Sequence, residues 1–382
     1  MIVEHLSLVD FRNYAEVEVA LAPGATVFVG KNGQGKTNLV EAIAFFATLG
    51  SHRVSQDAPM VRFGAEAAII RARLAHGERR VQLEAQVNRS GSNKARINGT
   101  KARVADLPRY ANVVLFAPED LSIVRGDPST RRRFADQLLV QRTPRLAGVL
   151  GDYDRVLKQR STLLKSARSR GIAGAGLQTL DVWDDKLVSL GTEIIRARLQ
   201  LATDLSSPVN AAYAAIAGAD HQPELSWSLT IDEPTGPDDS SSDGSVPAIE
   251  ERFRSALANA RASELERGVT LVGPHRDDLI LSVRGLTVRG FASHGESWSV
   301  ALALRLASAQ LLRAESQLGD PIVILDDVFA ELDSDRRSRL AAVVADYEQV
   351  IVTAAVEQDV PDNLRARTLR VQAGVIDTGG AG

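Results

Sequence analysis

The chain has 382 residues, 44% of them hydrophobic, which is enough to bury a large interior and long for a single core, so two lobes are expected. Its 45 basic and 48 acidic side chains leave a net charge of −3, so any contact with nucleic acid must come from a local basic patch. The absence of cysteine excludes disulfides and thiolate metal sites, and no leader-like or membrane-length apolar run is present, so a soluble cytoplasmic protein without a membrane partner is expected.

The first part of the chain reads as β. Residues 15–21 alternate, with Val17, Val19 and Leu21 on one face, and residues 25–29 form a continuous apolar strand. Residues 37–49 then carry Leu39, Val40, Ile43, Ala44 and Ala47 on one side of a helix. Strands follow at 67–74 and 80–87, and Asn98-Gly99 is a two-residue hairpin signal between 94–97 and 100–104. Residues 113–116 are a further buried strand.

From Pro128 the period changes to helical, with Thr143-Pro144 read as a helix start. Leu150, Tyr153, Leu157 and Leu164 precede a turn marked by Gly171, Gly174 and Gly176. Leu180, Trp183, Leu187, Leu190, Ile194, Leu201 and Leu205 follow it, which describes an antiparallel helical hairpin. Residues 233–247 are rich in Pro, Gly, Ser and Asp without periodicity and read as a flexible loop. A helix over 249–268, a strand over 269–272, a helix over 299–317 and a strand over 350–353 complete the pattern, and the tail after Asp377 is Gly-rich.

Three motifs, one near the start of the chain and two near its end, carry the chemistry. Gly30-Lys31-Asn32-Gly33-Gln34-Gly35-Lys36-Thr37 is a complete G-x-x-x-x-G-K-[ST] loop between a strand and a helix. Its glycines let backbone N–H groups turn onto phosphates, the helix N-terminus adds to that field, Lys36 reaches the β- and γ-phosphates, and the Thr37 hydroxyl ligates Mg²⁺. The apolar run 322–325 ends on Asp326, placed to bind Mg²⁺, and Asp327, placed to orient or deprotonate the attacking water. Asp is one methylene shorter than Glu at that position, which suits slow hydrolysis. Ser293-His294-Gly295-Glu296 reads as a capping box and equally as a helix N-terminus whose Ser293 hydroxyl and Gly295 backbone face a γ-phosphate.

In this order the motifs resemble the RecF family of bacterial recombination and gap-repair ATPases over nearly the whole chain. The resemblance rests on Phe11-Arg12-Asn13-Tyr14, the phosphate loop, Pro118-Glu119-Asp120-Leu121, Gly126-Asp127-Pro128, Arg131-Arg132-Arg133-Phe134, Gly273-Pro274-His275-Arg276-Asp277-Asp278, Ser293–Glu296 and the run from Leu325 to Asp333. It implies an α/β fold: an ABC-type ATPase head, a mixed sheet with flanking helices, built from residues 1–117 and 269–382. A helical lobe, residues 118–268, is inserted into it. It also implies ATP and Mg²⁺ as cofactors, an ATP-dependent homodimer in which Ser293, Gly295 and Glu296 act on the partner's nucleotide with Asp333 in the interface loop, and work with RecO and RecR on single-stranded or gapped DNA. Slow hydrolysis would then release the DNA, in support of recombinase loading, fork maintenance and SOS induction.

The chain departs from the family pattern in three places. No Gln ends the strand 113–116 to sense Mg²⁺, leaving Glu119 or Asp120 as substitutes. Glu296-Ser297-Trp298 lacks the cationic residue that often follows the signature glycine. Thr353 stands where transporters keep a His after the last strand. Arg12 reads either as a contact near the nucleotide or as a surface ion pair, and Gly273–Asp278 as a turn or a functional segment. Arg131, Arg132 and Arg133, with Lys165, Arg168 and Arg170 at the hairpin tip, are candidate DNA phosphate contacts or solvated charge. The rival readings are the nucleotide-binding subunit of an ABC transporter, which would need a membrane partner, and a structural SMC-like DNA-bridging protein, which would need a longer arm.

Overall fold

The computed structural model describes residues 1–54, 56–170, 178–219, 221–232, 244–317 and 319–377. In chain order these form β1 (Ile2–Phe11), β2 (Tyr14–Ala20), β3 (Gly24–Val29), α1 (Lys36–Thr48), β4 (Ala67–His76), β5 (Arg79–Asn88), β6 (Lys94–Ile97), β7 (Thr100–Ala102) and β8 (Val113–Phe116). Then come α2 (Leu121–Arg125), α3 (Pro128–Arg142), α4 (Leu146–Arg170), α5 (Gln178–Ala217), β9 (Pro223–Ser228) and α6 (Val246–Arg267). The last stretch holds β10 (Asp278–Val283), β11 (Leu286–Thr287), α7 (Val288–Phe291), α8 (His294–Glu315), β12 (Ile322–Asp326), α9 (Ser334–Val344), β13 (Gln349–Ala354), β14 (Thr368–Gln372) and β15 (Val375–Asp377).

The chain divides into two units, the first made of 1–124, 207–222 and 292–382, the second of 125–206 and 223–291. In the first, one six-stranded antiparallel sheet runs β2-β1-β4-β5-β6-β7, and a second runs β15-β14-β3-β13-β12-β8, parallel except for β15. The second sheet is fully buried along β12 and β13, as continuous apolar strands in a parallel interior require. α1 shares one apolar cluster with both sheets: Leu39, Phe45 and Phe46 pack with Leu6, Leu8 and Ile70 of one and Leu115, Ile324 and Ile351 of the other. That packing fixes the direction in which the N-terminus of α1 points.

The second unit is helical with a small sheet, β11-β10-β9. α4 and α5 run antiparallel, because Arg145 pairs with Glu193 and Arg160 with Asp184. Tyr153 and Val156 of α4, Leu187 and Ile194 of α5, and Ile249, Phe253 and Leu257 of α6 make one core. Arg160 is completely buried there, held by Asp184, Glu264 and the Thr270 hydroxyl. The Gly171–Gly176 turn, most of the 233–247 loop and the tail after Asp377 lie outside the described residues.

The expected boundary at 269 is displaced. Residues 278–283 pair with β9 along their whole length, which holds 269–291 in the second unit. Residues 207–222, expected in the helical lobe, belong to the first, where Arg339 donates to the Ile216 carbonyl at 3.1 Å. The expected strand at 269–272 is irregular backbone, because its groups bond elsewhere: Val269 N–H to the Glu264 carbonyl at 3.3 Å, Leu271 N–H to the Glu264 carboxylate at 2.7 Å, and the Thr270 carbonyl to the Arg276 guanidinium at 3.3 Å. Thr143 ends α3 rather than starting a helix, and α4 begins at Leu146.

Candidate nucleotide site

The loop Gly30–Thr37 leaves the carboxyl end of β3, which lies between β13 and β14 in the parallel sheet. Two of its glycines are required by close approach. A Cβ at Gly30 would fall 2.2 Å from the Val371 carbonyl oxygen, and one at Gly35, where φ is 115°, would fall 2.6 Å from the Tyr14 hydroxyl. The loop is braced from outside: Asn13 Nδ2 donates to the Gln34 carbonyl at 3.2 Å, and Ala373 N–H donates to Gln34 Oε1 at 2.5 Å. Lys31, Asn32 and Gly33 remain exposed along the rim. Lys36 is buried, its ammonium donating to the carbonyls of Gly30 at 2.8 Å and Lys31 at 3.4 Å, and lying 3.9 Å from Asp327 Oδ2.

β12 lies between β13 and β8, and its last residue brings Asp326 to the start of α1. Thr37 Oγ1 donates to Asp326 Oδ1 at 3.0 Å, joining residues 289 apart in sequence. Thr353, at the end of β13, donates its hydroxyl to the same oxygen at 2.6 Å and accepts the Asp327 N–H at 3.0 Å. Asp327, whose N–H makes that second bond, has a left-handed backbone, φ 52°. Burial raises the Asp327 carboxyl above the usual range; Lys36 pulls it back, and Asp326, Asp359 and Glu119 push it up. The Thr353 hydroxyl is thus committed to the two aspartates and is not free to meet a γ-phosphate.

These donors fit Mg²⁺. A hydroxyl and a carboxylate oxygen 3.0 Å apart are hard ligands, and no cluster of three or more His, Cys, Asp or Glu exists among the described residues. A cation here would take its other ligands from phosphate and water, as Mg²⁺ does. Of the residues considered in place of the absent Gln, Asp120 is occupied: it accepts the Ala117 N–H at 3.0 Å and pairs with Arg305 at 2.6 Å. Glu119 is exposed. His52, which sequence reasoning passed over, places Nε2 3.7 Å from Asp326 Oδ2.

Ser293 caps α8. Its hydroxyl accepts the Glu296 N–H at 3.2 Å while Glu296 accepts the Ser293 N–H at 2.9 Å, and the Ser293 side chain is exposed. Asp333 caps α9 by accepting the Arg336 N–H at 2.9 Å. Arg336 joins the two: its guanidinium donates to Asp333 at 2.5 Å and to Ser299 Oγ at 3.2 Å, and a Cβ at Gly295 would meet it at 3.2 Å. A cation therefore lies against the signature glycine although Glu296-Ser297-Trp298 contains none. The Arg336 contacts hold the Asp333 carboxyl below the usual range.

The DNA candidates divide. Arg131 is buried in a two-pronged pair with Asp278, at 2.7 and 2.8 Å, so it is a structural cation rather than a free phosphate contact. Arg132 donates to the Asp277 carbonyl at 2.6 Å, and burial, then Arg198, lower its pKa. Arg133, Lys165 and Arg168 are exposed, with Arg168 also donating to the Arg267 carbonyl at 3.3 Å; the Arg170 side chain is outside the described set. Arg12 forms an ion pair: Glu41 takes its guanidinium at 2.5 and 2.8 Å, and the Pro59 carbonyl accepts from it at 2.9 Å.

Gly273–Asp278 is the polar hub of the second unit. Tyr153 O–H meets His275 Nδ1 at 2.8 Å, the Thr230 N–H and hydroxyl both donate to Asp277, and Arg198 donates to the Pro274 carbonyl. Burial lowers His275 to about 4 and raises Asp277 to about 6.

Residues 2–374 match the family described as RecF/RecN/SMC N terminal domain. The DNA replication and repair protein RecF of Clavibacter sepedonicus is 58% identical over 98% of this chain and 95% of its own length. That of Leifsonia xyli subsp. xyli is 56% identical over 98% and 99%. Among solved structures, the recombination mediator protein RecF bound to an ATP analogue, from the RecFOR pathway, superposes with a TM-score of 0.87 at 25% identity, covering 99% of this chain and 98% of that one. The Smc head of Pyrococcus furiosus superposes at 0.52 with 17% identity, over 98% and 95%, and shares the fold.

Proposed function

The chain belongs to the RecF family of DNA replication and repair proteins, and we propose that it is a nucleotide-driven clamp whose two copies close on DNA when each holds ATP and Mg²⁺. The observation that carries this reading is the convergence of Lys36, Thr37, Asp326 and Asp327 at one edge of a parallel sheet. The same unit carries a second set, the exposed Ser293 and Asp333 with the half-buried Gly295, in which Arg336 links Asp333 to the first turns of α8 at Gly295 and Ser299. A two-fold pair built from such units has two equivalent composite sites.

In this account Lys36 turns from the Gly30 and Lys31 carbonyls to the β- and γ-phosphates, and the loop's N–H groups hold the rest of the chain of phosphates. Thr37 and Asp326 would hold Mg²⁺, which when bound neutralises charge on the phosphates. Thr353 fixes both aspartates, and Asp327, whose carboxyl burial pushes above the usual range, orients water and takes its proton. Ser293 and the capped end of α8 meet the nucleotide of the partner copy. Hydrolysis opens the pair and frees the DNA. DNA in single-stranded or gapped form, RecO and RecR as co-workers, and a cytoplasmic place of action complete the proposal. The identity of 48–58% over nearly full length to RecF proteins favours it over a transporter subunit or an SMC-like bridge.

The test is DNA binding and sedimentation of the pure protein with ATP, Mg²⁺, both or neither. The proposal expects a DNA-bound species of two chains with both. Equal DNA binding by a single chain under all four conditions would refute it.

A further inference from the structure

His52 sits just past α1, and its side chain is 13% exposed. Both ring nitrogens are buried without a hydrogen-bond partner. A buried polar group left unbonded calls for an explanation, and an absent water or ion is a common one. The ring's Nε2 faces Asp326 Oδ2 across 3.7 Å, too long for a direct hydrogen bond. A single atom bonded to both groups can lie beside that gap. The other oxygen of Asp326, Oδ1, is already filled by the hydroxyls of Thr37 and Thr353. Oδ2 and the imidazole are therefore the open faces of this corner.

The ring does not reach this place by packing alone. Ser51 Oγ donates to the buried Glu41 carboxylate and accepts the N–H groups of Arg53 at 2.9 Å and Val54 at 3.2 Å. Glu41 is held in turn by Arg12. The Arg12-Glu41-Ser51 chain thus fixes the backbone on both sides of His52 against α1.

We propose that His52 binds the water shell of the nucleotide's Mg²⁺, as the third side chain of the cation corner beside Thr37 and Asp326. The inference rests on the nucleotide site proposed above. Mg²⁺ keeps several of its waters when bound, and a neutral imidazole nitrogen accepts from a metal-bound water more readily than it displaces one. His52 is a positioning residue: it holds the cation's water and, across it, the free oxygen of Asp326.

The test uses the whole protein loaded with a non-hydrolysable ATP analogue and Mn²⁺ in place of Mg²⁺, with histidine labelled by ¹⁵N. Pulsed electron paramagnetic resonance should show a weak ¹⁵N coupling to the metal in the wild type and none in His52→Ala. His52→Ala should bind the nucleotide normally in EDTA, yet weaken Mn²⁺ binding to the loaded site by about ten-fold or more. His52→Gln, which keeps a hydrogen-bonding end, should recover most of the loss. A wild type without ¹⁵N coupling, unchanged Mn²⁺ affinity in His52→Ala, or loss of nucleotide binding by His52→Ala in EDTA would each overturn the role. A wild type that fails to take up the analogue at all would instead overturn the nucleotide site, and this inference with it.

Discussion

Replacing Arg336 by Ala separates the stability of the chain from the association of two chains. The guanidinium donates to Asp333 at 2.5 Å and to Ser299 at 3.2 Å, but Arg336 and Asp333 are 27% and 51% exposed. A pair so open to solvent contributes about 0.2–1 kcal/mol to folding. The unfolding midpoint should therefore fall by at most about 2–4 °C. Association is affected differently. Arg336 holds the signature end of α8 and the Asp333 end of α9 as one surface, and a two-fold pair uses that surface twice. A loss of about 1 kcal/mol at each of two sites makes about 2 kcal/mol, or a roughly thirty-fold weaker dimer. Arg336→Lys retains the charge without the planar fork and should recover only part of it. Sedimentation equilibrium with a slowly hydrolysed ATP analogue and Mg²⁺ reads the dimer constant, and monomer nucleotide affinity should stay unchanged. An Arg336→Ala protein that dimerises within about three-fold of wild type would show that the two helix ends do not act together.

Other consequences follow from particular side chains. Lys36→Ala should cut ATP affinity by about 100-fold, the value of one charge-assisted interaction of about 3 kcal/mol, with the fold intact; calorimetric titration showing tight ATP binding by the folded variant would remove the assignment. Arg131→Ala leaves Asp278 without its partner and should destabilise the second unit by about 3 kcal/mol while leaving the salt dependence of DNA binding unchanged. Replacing Lys165, Arg168 and Arg170 together by Ala should instead lower the slope of log K against log salt by about 0.9 for each duplex phosphate that is no longer neutralised, and an unchanged slope would place the DNA elsewhere. Acid stability gives a further check. His275, lowered to about 4, contributes stability above pH 6.5 that is lost as pH falls toward 4; Asp277, raised to about 6, does the opposite over nearly the same window. The two cancel in the wild type, so Asp277→Asn should make the second unit acid-labile from pH 6.5 downward, with a slope approaching about 1.4 kcal/mol per pH unit in denaturant titrations. A flat profile for that variant would contradict the burial argument.

The parts of the fold legible in the sequence are those set by neighbours in the chain. The phosphate loop, the Asn98-Gly99 turn, where both residues have positive φ, and the buried runs of β8, β12 and β13 all declare themselves locally. β1 does not, because a bulge between Val3 and His5 breaks its alternation. Residues 269–272 resemble a strand because they are apolar, yet Leu271 N–H bonds to the side chain of Glu264 and the Thr270 carbonyl to that of Arg276, which no periodicity reveals. The Arg131–Arg133 run resembles a solvated charge cluster, while the partner of its first member is 147 residues away. His52 carries no local signal, and Arg336 shows only its pairing with Asp333 three residues back, for the same reason: their further meaning lies in Asp326 and Gly295, which only the folded chain brings to them.

The central claim, that nucleotide closes two copies through Ser293 and that Asp327 opens them again, is tested most directly by sedimentation on gapped DNA with ATP and Mg²⁺. Ser293→Arg places bulk and charge at the closing surface and should bind ATP as a monomer yet form no dimer. Asp327→Asn keeps the shape without the base and should form dimers that persist on DNA because hydrolysis stops. Dimers of Ser293→Arg equal to wild type, or wild-type hydrolysis by Asp327→Asn, would contradict the account.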